Sequence, residues 1–85
     1  MSNDRIPIEV DAVWPDDVEE EAGVVVDWFV REGRTVEEGD TLCEIQVEKV
    51  GVDVPAPAGG ELAEIAVGED DEFARDDTLG WIQPG

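Results

Sequence analysis

Displaced by 37 residues, this chain overlies itself. Gly23–Ile45 falls on Gly60–Ile82 with identities at Gly23/Gly60, Val30/Val67, Glu32/Glu69, Asp40/Asp77, Thr41/Thr78, Leu42/Leu79 and Ile45/Ile82. Conservative matches add Val25/Leu62, Asp27/Glu64, Trp28/Ile65 and Val36/Phe73. A repeat of this period marks a supersecondary unit that cannot bury its apolar face alone and must pack against its copy. Both copies close with Asp-Thr-Leu-x-x-Ile, an agreement that biased composition does not generate. In a chain of 85 residues, two such units leave room for one arrangement: a single domain spanning residues 1–85, whose halves (23–45 and 60–82) share a core across a pseudo-twofold axis.

The segments inside each unit read as strands. Arg5–Val10 alternates Ile6, Ile8 and Val10 with polar residues or proline, a period of two, and its Pro7 suits an edge strand. Val24–Val30 is β-branched and aromatic, and too short for a stable helix. Turns follow at Arg31–Arg34 and Glu38–Asp40, with Gly33 free to take positive φ. Leu42–Val47 and Val52–Ala56 flank a connection, Glu48-Lys49-Val50-Gly51. The second half repeats the pattern with Glu61–Val67, a turn at Gly68–Asp71, a short strand around Phe73, and Leu79–Gln83. No stretch carries a 3.6-residue apolar stripe, and Asp16–Glu21 offers one acidic helical turn at most. The expectation is an all-β fold of about eight short strands, a sandwich or flattened barrel.

Residue types narrow the chemistry. There is no histidine, which removes Ser/His/Asp and Cys/His catalysis and the commonest metal ligand. A single cysteine, Cys43, makes neither a disulfide nor a thiolate zinc cluster and reads as a small apolar filler. The acidic runs Asp16-Asp17, Glu19–Glu21 and Gly68–Glu72 lack calcium-loop spacing and read as solvated loops. Trp14, Trp28 and Trp81 read as core or loop anchors. No apolar run approaches the roughly 20 residues of a membrane span and no signal-peptide pattern opens the chain, so a cytoplasmic protein is expected.

Charge sets a further condition. With 24 acidic residues against five basic ones the formal charge is −19, which excludes nucleic acid and anionic membranes as partners. The 41% hydrophobic content, grouped in short blocks, favours folding over disorder. Nineteen like charges at ~15 Å repel by roughly 0.3 kcal/mol per pair in water, on the order of 10 kcal/mol in all after screening at 0.1 M salt. That rivals a small domain's whole stability and nearly vanishes at molar salt, where the screening length is ~3 Å. The composition therefore suits a salty interior, as in halophiles. Four of the five basic residues are arginines, leaving Lys49 as the only side-chain amine, at the tip of a hairpin between two strands.

The stretch Leu42-Cys43-Glu44-Ile45-Gln46-Val47-Glu48-Lys49-Val50, with Val52-Asp53-Val54-Pro55-Ala56-Pro57-Ala58-Gly59-Gly60 after it, resembles the lipoyl attachment domain of 2-oxo acid dehydrogenase complexes. That family reads L-x-E-I-E-T-D-K-A-x-x-E-V-x-A-P-x-x-G in outline. Gly23–Gly33 is similar to its G-x-I-x-x-W-x-V-K-x-G segment, Glu38–Leu42 to its x-G-D-x-L, and Val67–Ile82 to its closing V-G-x-x-V…L-x-x-I. The likeness covers about residues 5–83. Glu48, Val47 and Val50 depart from the usual Asp, Thr and Ala around the lysine.

The resemblance implies two four-stranded sheets related by a pseudo-twofold axis, with no catalytic residues of the chain's own. It implies that Lys49, presented by Glu48 and Val50, carries lipoic acid as an amide. It also implies partners: a lipoate ligase or lipoyl transferase, a thiamine-diphosphate decarboxylase, an acyltransferase and a dihydrolipoamide dehydrogenase. The loop between the first two strands, here about Asp11–Ala22 with Trp14, is expected near the lysine as a decarboxylase contact. A related branch carries biotin on a lysine between two methionines; the only methionine here is Met1, which disfavours that reading. The remaining alternative is an unmodified interaction module of the same fold.

Overall fold

A computed structural model describes residues 4–84. Eight strands, β1 (Ile6–Glu9), β2 (Ala22–Trp28), β3 (Thr35–Val36), β4 (Thr41–Val47), β5 (Val50–Pro55), β6 (Gly60–Ile65), β7 (Glu72–Ala74) and β8 (Thr78–Pro84), form two antiparallel sheets. Their orders are β1-β8-β6-β3 and β5-β4-β2-β7. Exchanging each strand with the one four places away in sequence converts the first order into the second. The fold is the expected all-β flattened sandwich with pseudo-twofold topology, and Pro7 lies on an edge strand as its missing N–H requires.

The 37-residue repeat is reproduced bond for bond. β2 pairs β4 through Val25↔Ile45, then slips at Val26 and resumes at Asp27↔Glu44. β6 pairs β8 through Leu62↔Ile82, slips at Ala63 and resumes at Glu64↔Trp81. Gly23 faces Phe73 as Gly60 faces Val36. Val25, Val36, Leu42 and Ile45, with their counterparts Leu62, Phe73, Leu79 and Ile82, are all buried, joined by Ile8, Val10, Trp14, Val47 and Val54. The repeat is thus largely a list of core positions contributed equally by both halves.

Its acidic identities have a separate cause. Glu69 Oε2 accepts from the Trp28 N–H at 3.1 Å, and Glu32 Oε2 accepts from the Ile65 N–H at 2.8 Å. Each carboxylate leaves its own half to hold the backbone just past the other half's bulge. Asp40 and Asp77 likewise accept from Glu37 N–H (2.9 Å) and Ala74 N–H (2.8 Å), closing matching turns. A carboxylate accepting a backbone N–H is stronger than a neutral hydrogen bond, so these positions are not interchangeable with other acids of the surface. Glu69 and Asp71 are exposed, as expected of solvated acidic loops, and also hold backbone: Asp71 accepts from Gly68 N–H at 3.2 Å.

The glycine identity is steric. A Cβ on Gly60, whose φ is +152°, would lie 2.3 Å from the Gln83 carbonyl oxygen; one on Gly23 would lie 3.0 Å from the equivalent oxygen of Gln46. Gly60→Ala is expected to lower the urea-unfolding free energy by about 3 kcal/mol, because the obstacle is a backbone carbonyl that cannot rotate away. Gly39→Ala, with φ +92° and open space around it, should cost about 1–2 kcal/mol from its backbone conformation alone. Equal losses would remove the steric explanation.

Two short elements have no counterpart in the sequence pattern. Thr35–Val36 is a strand of two residues, too short to show a period. A 3₁₀ turn forms at Asp11–Val13, and Asp16–Glu21, allowed one helical turn at most, contains only the turn at Asp16-Asp17.

Candidate functional site

Strand β5 begins at Val50, two residues earlier than the sequence pattern indicates, because Gly51 continues the strand opposite Gln46 instead of breaking it. Val47 therefore pairs with Val50, and only Glu48 and Lys49 remain in the loop. A two-residue loop must take left-handed backbone somewhere, and here Glu48 does so at φ 57°; Lys49 does not. The Gln46 side-chain amide donates to the Glu48 carbonyl at 3.1 Å, tying the loop to β4. Lys49 is exposed, and among the described residues it enters no ion pair. Val50, 38% exposed, lies beside it on the strand end.

The loop between β1 and β2 flanks this hairpin. Its Glu20 shares a groove of about 280 Å³ with Glu48, Glu72 and the Ala22–Val24 backbone segment. Glu20 and Glu72 had no local signal in sequence: Glu72 reaches the site only because β7 pairs with β2 through Val24↔Glu72. Trp14 is not offered to a partner. It is buried, its Nε1 donates to the Glu20 carbonyl at 3.1 Å, and its ring meets Phe73 edge-on at 6.1 Å. Arg75 lies 5.7 Å over the same ring and pairs with Asp11 at 2.9 Å and Glu21 at 3.8 Å, so both ends of the loop are held against β7. Trp28 is an anchor as well, donating from Nε1 to the Val67 carbonyl at 2.8 Å.

Cys43 is fully buried, and burial pushes its thiol up to about 12. A thiol held neutral in this way is a poor nucleophile. Native protein at pH 8 is expected to resist a water-soluble disulfide reagent until denatured; stoichiometric labelling of the native state would contradict the burial. The sign of the pH effect follows. Above the ordinary cysteine range the unfolded chain loses this proton while the folded one keeps it, so stability falls between about pH 9 and 12.

What the arrangement can do chemically is narrow. It presents one exposed amine on a two-residue tip held between paired strands, and among the described residues no ion pair engages it. The class that this fold defines is a carrier domain that does no bond chemistry itself. The chain belongs to the family of biotin- and lipoyl-attachment domains: the family model described as "Biotin-requiring enzyme" matches residues 15–82.

Among curated proteins, the chain is similar to the dihydrolipoyllysine-residue acetyltransferase component of the pyruvate dehydrogenase complex of Staphylococcus aureus (strain Mu50 / ATCC 700699). The two are 45% identical over 47 residues, 55% of this chain and 11% of that protein. The corresponding component of Staphylococcus epidermidis (strain ATCC 12228 / FDA PCI 1200) is 43% identical over the same share. The matched segment thus spans about a tenth of those relatives. The solution structure of the lipoyl domain of the 2-oxoglutarate dehydrogenase complex from Azotobacter vinelandii superposes with a TM-score of 0.68 at 27% identity, covering 95% of this chain and 98% of that one.

Proposed function

We propose that this chain is a lipoyl carrier domain, with lipoic acid joined through an amide to Lys49 Nζ. The observation that carries the reading is the position of the only lysine, exposed on the two-residue tip between β4 and β5. The residues fit the group: among the described residues the amine enters no ion pair, it is exposed, and paired strands hold its backbone on both sides. Bound there, lipoic acid supplies a dithiolane that carries acyl groups and reducing equivalents. The chain's own contribution is positional. Strand pairing fixes where the arm is rooted, and Glu48 and Val50 form the surface that a lipoate ligase or lipoyl transferase reads. Amide formation removes the lysine charge, making the domain one unit more negative than −19.

Tethering raises the effective concentration of a carried group to about millimolar, so successive enzymes meet it without its release. The partners are a thiamine-diphosphate decarboxylase, an acyltransferase and a dihydrolipoamide dehydrogenase of a 2-oxo acid dehydrogenase complex, in the cytoplasm. Among the described residues no helix is long and apolar enough to cross a membrane. Lipoyl rather than biotinyl loading is supported by Glu48 and Val50 where methionines would flank a biotinyl lysine, and by the lipoyl proteins it is similar to. Intact mass of protein from its own source, with peptide mapping across Lys49, tests this. A lipoyl adduct on Lys49 is expected. A biotinyl adduct, or an unmodified lysine in cells whose other lipoyl proteins are loaded, would overturn it.

A further inference from the structure

We propose that the turn carrying Arg31 and Arg34, with Phe29 beside it, docks an acidic segment of a partner protein. The pseudo-twofold axis supplies the control. Residues 29–34 correspond to 66–71 in the other half, and both turns close alike: Arg34 N–H donates to the Arg31 carbonyl at 3.2 Å, Asp71 N–H to the Gly68 carbonyl at 3.1 Å. Gly33 and Asp70, at equivalent places, both have positive φ (93° and 69°). Phe29 N–H and Ala66 N–H donate to Leu42 and Leu79 carbonyls. The same backbone is therefore built with Ala66, Gly68 and Asp71 where the first half has Phe29, Arg31 and Arg34. Folding does not demand a phenylalanine or two arginines here.

What they create is unlike the rest of the surface. Phe29 is 52% exposed, more than Val26 or Val50, the other large apolar side chains on the outside. Arg31 and Arg34 are exposed, and among the described residues neither forms an ion pair, although the chain holds 24 carboxylates. Arg5 and Arg75, by contrast, are paired with Glu64 and with Asp11 and Glu21. Phe29, both arginines, Val36 and Asp40 line one open groove of about 300 Å³. Two free guanidinium groups beside an exposed aromatic ring complement a carboxylate-bearing segment with an apolar side chain. The net charge excludes nucleic acid from the same place.

The groove lies at the end of β4 away from Lys49. Phe29 is bonded to Leu42, whereas the hairpin starts after Val47, five residues or about 17 Å further along the strand. A partner held here leaves the lysine free. The inference does not rest on what Lys49 carries.

The test is an amide-shift titration of the folded domain with a capped Glu-Leu-Glu-Phe-Glu peptide in 1 M potassium chloride, where long-range repulsion from the acidic surface is screened. The same titration uses a Gln-Leu-Gln-Phe-Gln control. Shifts concentrated at residues 29–36 and 40 are expected for the acidic peptide, with the control about tenfold weaker. The variant Phe29→Ala/Arg31→Gly/Arg34→Asp takes the residues of the other half, so it should fold, and it should weaken the acidic peptide at least tenfold. Arg34→Asp alone provides a milder second variant, expected to weaken binding in the same direction. No shifts, shifts centred on the Lys49 hairpin, equal binding of the neutral peptide, or unchanged binding by the folded variants would each overturn the proposal.

Discussion

Lys49→Ala and Lys49→Arg proteins are expected to carry no adduct and to accept no acyl group from a decarboxylase, while melting with the parent to within about 0.5 kcal/mol. The loss should be complete because there is no second lysine to take over. The small stability change follows from the structure: Lys49 is exposed, enters no ion pair among the described residues, and does not carry the loop's left-handed backbone. Arginine keeps the positive charge but forms no stable amide under these conditions, so it separates loss of attachment from loss of charge. Glu48→Gly provides the complementary case. It relieves the positive φ and should be neutral or slightly stabilising, yet it removes the carboxylate next to the lysine and should slow ligation. A Lys49→Ala protein without cooperative unfolding would make the lysine a structural residue and sink the carrier reading.

Melting temperature is expected to rise by roughly 10–25 °C between 0.1 M and 3 M potassium chloride, the equivalent of a few kcal/mol in a domain of this size. The described structure sharpens the argument from net charge. Among the described residues no charged side chain is buried, and the ion pairs found are those of Arg5 and Arg75, all at least 37% exposed. Exposed pairs of this kind contribute little, so most of the acidic surplus is uncompensated. The carboxylate-to-backbone bonds of Glu32, Glu69, Asp40 and Asp77 act at contact distance and should survive salt, so the gain comes from screening the remainder. Sucrose, which strengthens burial without screening charge, is the control. Equal melting temperatures at the two salt concentrations would show that the unfolded chain is as strongly self-repelling as the folded one.

Much of the site was legible before folding was considered. A unique lysine between two β-branched runs already points to a hairpin tip, and the resemblance of the stretch around it to the lipoyl attachment family implies a carrier domain. The loop length was not legible, because Gly51 in isolation reads as a strand breaker. In the sheet its missing side chain is accommodated opposite Gln46, where a Cβ would stand 3.1 Å from Glu44 Oε2. Nor was the role of Trp14: a tryptophan in an acidic loop looks available, but burial against Phe73 and Arg75 depends on residues about 60 positions away.

The sequence by itself determined the two-part architecture, the all-β class and the single lysine on which the proposed attachment rests. These rest on a repeat, a period of two and the absence of any other side-chain amine, all properties readable along one chain. Tertiary structure alone decided which carboxylates hold the frame, which aromatic rings are buried, and which groups line the groove beside Glu48. Glu32 reaches Ile65, Glu69 reaches Trp28, and Glu72 arrives beside Glu48 because strands distant in sequence become neighbours in a sheet. In an antiparallel sandwich the contacts that define a site run across strands, while the signals readable in sequence run along them.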